Sequence, residues 1–172
     1  MFERGLNVVK AALKNYEEMK SREIHSFPVV KMPALATLGE VLIKVESLLN
    51  RLTNIEKAVE RSGSVGKFCG GWIYVKEASL TTATHLNDLL TVSFDEGTNT
   101  VKLSNKHVSI AIDTSSVTVR YRNYVVKTSI LSKDDVIQNA EVIKAVTSDI
   151  LNLINKLNLR IETCSKRLGI PH

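Results

Sequence analysis

Residues Leu38–Val59 read LGEVLIKVESLLNRLTNIEKAV, with apolar positions at Leu38, Val41, Val45, Leu48, Leu52, Ile55 and Val59. The steps alternate between three and four. A straight helix repeats every 3.6 residues, so a 3.5-residue repeat held across this stretch predicts a helix coiled on a neighbour. Pro33 opens that helix, because its missing N–H costs nothing in a first turn, and Gly63 stops it, giving a helix over 34–62. Gly39 inside it costs up to ~1 kcal/mol against alanine and marks a close helix approach.

Upstream, Phe2, Leu6, Val9, Leu13 and Tyr16 are spaced four, three, four, three. That spacing predicts a first helix over 2–23. Pro28 ends it by disfavouring helical geometry at Phe27, and Val29–Met32 reads as an extended connector. Downstream, Ser132 is placed to cap a third helix, with Asp134 and Asp135 in its first turn where the helix dipole favours them. Ile150, Ile154, Leu157, Ile161, Cys164 and Leu168 form its stripe before Gly169 and Pro171 end it.

Between the second and third helices the period changes to two. Trp72–Val75 has strand composition, and residues 77–88 fit either a strand or a helical turn. From Leu89 the alternation is regular: Val92 and Phe94, Val101 and Leu103, Val108 to Ile112, and Val117 to Tyr121. Turn residues separate these runs, predicting an antiparallel meander over roughly 89–130 with one buried and one wet face. The expected fold class is therefore α+β: three long heptad-patterned helices in a bundle or coiled coil, with the meander inserted between helices two and three. The segments are a helical hairpin over 1–62, the meander over 63–131 and a C-terminal helix over 132–172 that packs back on the helical part as one structural unit. Short links at one end of the sheet make helices two and three antiparallel neighbours.

In element order, residues 34–168 resemble the prefoldin plan, a chaperone of antiparallel coiled coils on a β platform. The resemblance implies that fold and a chaperone role. The first helix and the larger sheet are additions to the plan.

Composition narrows the function classes. Apolar residues make up 44% and charged residues 24% of 172, ordinary for a soluble protein, while aromatics are only 5%. Residues 97–133 carry six basic side chains and one acidic one, whereas 34–62 and 134–172 are balanced. A segregated excess on the sheet points to an anionic partner more directly than the whole-chain charge of +5 does. Cys69 and Cys164 stand alone without metal-ligand spacing, so a reducing compartment and no metal are expected. The charged N-terminus and the absence of a long uncharged apolar run predict a cytoplasmic or otherwise intracellular protein, neither secreted nor membrane-bound.

No catalytic or cofactor signature stands out. His85 and Asp88 lack the third group a triad needs, and the paired carboxylates Glu17–Glu18, Asp95–Glu96 and Asp134–Asp135 fall in surface, hairpin and cap contexts. Gly63–Gly71 contains neither phosphate-cradling pattern and follows a helix rather than a strand. The sequence thus predicts a non-enzymatic, oligomeric scaffold or assembly protein that binds itself or protein partners. Its seam residues are Leu38, Val41, Val45, Leu48, Leu52, Ile55, Val59, Ile150, Ile154, Leu157, Ile161 and Cys164. The alternative is nucleic-acid binding on the outer face of the sheet through Lys102, Lys106, Arg120, Arg122 and Lys127, with Tyr124 stacking on a base.

Overall fold

The computed structural model describes residues 2–61, 67–68, 72–77, 79–85 and 90–168. Helix α1 spans Phe2–Glu23 and α2 spans Met32–Arg61. Pro28 acts as its ring requires: Phe27 is extended, with φ −83 and ψ 127. The connector is not extended, however. Val29–Lys31 forms a 3₁₀ turn leading directly into α2, and Pro33 lies within the first turn of that helix.

Eight strands follow in one sheet, each antiparallel to the next in chain order: β1 Lys67–Phe68, β2 Trp72–Glu77, β3 Leu80–His85, β4 Thr91–Asp95, β5 Thr100–Ser104, β6 Val108–Ile112, β7 Ser116–Tyr121 and β8 Tyr124–Ser129. Within the ambiguous stretch, Leu80–His85 is a strand, while residues 78 and 86–88 lie outside the described ones. The short links are built by side chains that replace backbone partners. Asn105 Oδ1 accepts from His107 N and Val108 N, and Asp113 Oδ1 accepts from Ser115 N and Ser116 N.

Strict alternation sorts the sheet into rows. Ala83, Val92, Leu103, Ile110, Val119 and Val126 are register partners in succession across six strands. A parallel row runs through Thr81, Phe94, Val101, Ile112, Val117 and Thr128. These rows face the helices, and most of their members are fully buried. The opposite face carries the short side chains Thr82, Ser93, Ala111 and Thr118, together with Lys102 and Lys127, in a third row.

The helices lie across the strands. Gly5 of α1 sits against Phe94 and Val101, Asn15 donates to the Thr114 carbonyl in the β6–β7 link, and Arg22 donates to the Leu131 carbonyl just beyond β8. Helix α2 runs antiparallel to α1, since Phe2 N donates to Glu56 and Tyr16 Oη donates to the Leu35 carbonyl. After the sheet come α3, Lys133–Gln138, and α4, Ala140–Leu168.

The expected architecture of three heptad helices with an inserted meander is overturned at three points. Two long helices precede the sheet, and the segment after it is two helices rather than one, broken at Asn139. There the backbone leaves helical geometry, at φ −102 and ψ 14, and Asn139 Nδ2 donates to Thr128 Oγ1. Next, α2 and α4 run in the same direction: Thr37 meets Thr147, and Arg51 meets Asn158. The antiparallel pairing of the prefoldin plan is absent. The cause is the width of the meander. Eight strands carry the chain ~34 Å sideways from β1 to β8, so α4 starts beside the beginning of α2. Lys31, Glu141 and Val142 line one groove as a result. A helix of 30 residues spans ~45 Å, enough to recross that width.

The third point concerns the seam. Leu38, Val41, Val45, Leu48, Leu52 and Ile55 are buried within this chain, but so are Leu35, Leu42 and Leu49. That is a broad stripe of 3.6-residue period packed on both α1 and α4, not the narrow two-per-heptad edge of a coiled coil. Ile150, Ile154 and Leu157 of α4 join the same core cluster, whereas the side chains of Val59, Ile161 and Cys164 lie outside the described ones. Among the described residues, no helix is long and apolar enough to cross a membrane.

Candidate functional site

Strand β8 ends the sheet, so one of its sides has no strand neighbour among the described residues. The two-residue link Arg122-Asn123 pairs Tyr121 with Tyr124. In such a hairpin the closing pair exchanges both backbone hydrogen bonds, and bonded and non-bonded pairs then alternate. The backbone groups of Val125, Lys127 and Ser129 therefore point away from β7. Ser129 N confirms the phase, because it donates outward to Asp135 Oδ2. Asp135 is fixed by the Ser132 cap of α3, whose side chain accepts from Asp135 N at 3.2 Å. Helix α3 thus closes the far end of the edge. At Val125 and Lys127 the outward N–H and C=O groups have no such partner among the described residues.

The side chains along this open stretch are exposed. Tyr124 is 59% and Val125 58% exposed. On the helix side of β8, Lys31, Tyr124, Gln138, Asn139, Glu141 and Val142 enclose a groove of ≈ 410 Å³. On the outer side, Val125 faces Arg120 and Lys127 faces Thr118 across the β7–β8 pair.

The residues expected to bind nucleic acid divide into separate groups. Lys102 and Lys127 share the outer row with Ala111 and Thr118 between them, three strand spacings or ~14 Å apart. Lys106 and Arg122 lie on the adjacent β5–β6 and β7–β8 links, which are tied together because Arg122 N donates to the His107 carbonyl at 2.8 Å. The guanidinium of Arg120 donates to the backbone carbonyls of Asn105, His107 and Arg122. Its fork is used to brace the two links. Tyr124 shares a face with Val126 and Thr128, the helix side, and so lies opposite Lys102 and Lys127. A two-residue link places Tyr124 across from Tyr121, which fixes that face.

Two features of this end of the sheet were not legible as a site. Arg122 adopts φ 55, in the left-handed region where a non-glycine residue is strained, and its guanidinium stands 5.8 Å from the Tyr121 ring centroid. The open edge itself has no local motif. Its sequence signal is that the strand YVVKTS is followed by a helix cap and, among the described residues, by helices. Nearby, burial alone would raise the Asp113 carboxyl. Hydrogen bonds from the Ser116 hydroxyl and from Ser115 N and Ser116 N, with the field of Lys127, outweigh burial and hold it below its usual range.

Among the described residues, no three His, Cys, Asp or Glu side chains gather where they could hold a metal ion. The side chain of His85 lies outside the described ones. No protein-family model, no curated protein and no solved structure matches this chain.

Proposed function

We propose that the protein is a non-enzymatic binding module that accepts an extended segment of a partner polypeptide as an added strand on β8. The observation that carries this reading is the unpartnered outward backbone of Val125 and Lys127, flanked by exposed Tyr124 and Val125 and by a groove on the helix side. Sheet edges left in this state are templates for strand addition. Main-chain hydrogen bonds give such a contact its register, and alternate side chains give it selectivity.

The test uses Val125→Pro. The N–H removed points away from β7, so the β7–β8 ladder keeps its bonds and an edge strand tolerates the ring. The variant should melt within a few degrees of the parent. Extended, end-capped hexapeptides should shift the amide resonances of Val125 and Lys127 in the parent and leave the variant unchanged. If no extended peptide perturbs those amides, the reading fails.

A second reading rests on Lys106, His107 and Arg122, which are exposed on two links tied together, with the Tyr121 ring beside them. That arrangement favours a polyanion such as single-stranded nucleic acid. Affinity should then fall steeply with salt, at a log–log slope of about −0.7 per phosphate neutralised on a single strand. Replacing Lys106 and Arg122 by Ser should flatten that slope while the fold is retained.

A further inference from the structure

Resting on the strand-accepting reading of β8, we infer that the segment it takes is acidic, with carboxylates on the side of the strand that faces the outer row and apolar side chains on the other. A strand added to β8 sets its side chains alternately on the two faces of the sheet. On the outer face it meets Val125 and Lys127, with Arg120 one strand further in. At the hairpin end Arg122 stands beside the Tyr121 ring, with no carboxylate at ion-pair distance among the described residues, and adds to the positive field. On the helix side it meets Tyr124 and Val142, with Lys31 lining the same groove.

The carboxylates close by do not cancel this. Asp135 is bonded to Ser129 N, and Asp134 lies at the start of α3 beyond the closed end. Asp113 feels the field of Lys127, but its oxygens are taken up by hydrogen bonds from Ser115 and Ser116 in its own turn. Among the described residues, Glu141 is the one carboxylate lining the groove, where Lys31 also stands. A glutamate directly across from Lys127 gains a cross-strand pair, and a lysine there meets a like charge.

The same arithmetic argues against a second copy as the occupant. Two β8 strands paired about a two-fold axis at Val126 put each Lys127 across from the other copy's Val125. Both Lys127 and both Arg120 side chains then collect on one face.

The experiment titrates the full chain with three end-capped hexapeptides, (Glu-Val)₃, (Gln-Val)₃ and (Lys-Val)₃, in low salt, while following the Val125 and Lys127 amides. (Glu-Val)₃ should bind about five-fold more tightly than (Gln-Val)₃, and (Lys-Val)₃ more weakly than either. Lys127→Glu, an exposed change that leaves the ladder intact, should reverse the order. Equal binding of all three overturns the acidic assignment and leaves strand acceptance standing. Silence from all three overturns strand acceptance itself. If both amides are already protected without peptide and the protection grows with protein concentration, the edge is taken by a second copy and this assignment falls.

Discussion

Tyr16 Oη donates to the Leu35 carbonyl at 2.7 Å, pinning α1 to the first turn of α2 with a ring that is 2% exposed. The same ring fills the space beside Gly39. A Cβ built there would stand 2.5 Å from Oη and 2.7 Å from two ring carbons. Glycine is present because the two helices touch through an aromatic ring.

Gly39→Ala should therefore destabilise the fold even though alanine is the better helix former. The helix gains up to ~1 kcal/mol of propensity, but overpacking a rigid contact costs ~1–3 kcal/mol. A net loss in urea denaturation is expected. Tyr16→Phe in the same background, which removes the nearest clashing atom, should recover part of it.

Burial, aided by the charge of Glu17, pushes the Tyr16 phenol up to about 12. The unfolded chain releases that proton near the ordinary phenol value of 10.0. Between those two values the unfolded state binds fewer protons than the folded one, so stability falls as pH rises through the window. Below it the contribution is complete. Unfolding free energies at pH 9 and pH 11 should drop more for the parent than for Tyr16→Phe, and equal drops would contradict the assignment.

Thr81 on β3 and Thr128 on β8 belong to one buried row and are both 0% exposed, yet they should respond oppositely to valine. Thr81 Oγ1 has no hydrogen-bond partner among the described residues, whereas Thr128 Oγ1 accepts from Asn139 Nδ2 at 2.9 Å. Thr81→Val removes an unsatisfied hydroxyl and should be neutral to stabilising by ~1 kcal/mol. Thr128→Val leaves Asn139 unpaired and should cost ~1–3 kcal/mol. Thermal melts of the two single variants make the comparison.

Leu52 is 1% exposed inside the chain's own core. Leu52→Asp should accordingly prevent folding, because an unpaired carboxylate replaces a packed side chain. Circular dichroism and light scattering on the variant distinguish this from simple subunit dissociation, which would leave a folded particle of smaller mass.

The sequence disclosed elements more readily than their arrangement. The period from Phe2 to Tyr16 and the stop at Pro28 are local, and α1 ends at Glu23 as they require. The alternation from Val92 to Tyr121 was enough to assign both faces of β4 to β7, since a strand offers no other choice. The direction of α4 was not local. It depends on how far eight strands displace the chain, and of β1 to β3 only Trp72–Val75 is legible as strand in the sequence, Leu80–His85 fitting either strand or helical turn. The broad stripe of α2 was visible in Leu35, Leu42 and Leu49, but a heptad template passes over those positions. Arg120 reads as a free cation until the register sets Asn105, His107 and Arg122 around it. Tyr124 falls on the helix side because the two-residue link sets it across from Tyr121.

The shared direction of α2 and α4 bears on how the chain is made. Thr37 and Thr147 are separated by 110 residues, so the surface that α4 covers on α2 is synthesised long before its cover. At the ~5–20 residues per second of translation, that interval is several seconds to tens of seconds. Throughout it, the leucines of the α1–α2 hairpin have no α4 to lie against, and the sheet arrives only strand by strand within the interval. Folding in the test tube should likewise be slow for a protein of this helix content, because its decisive contacts are among its most distant.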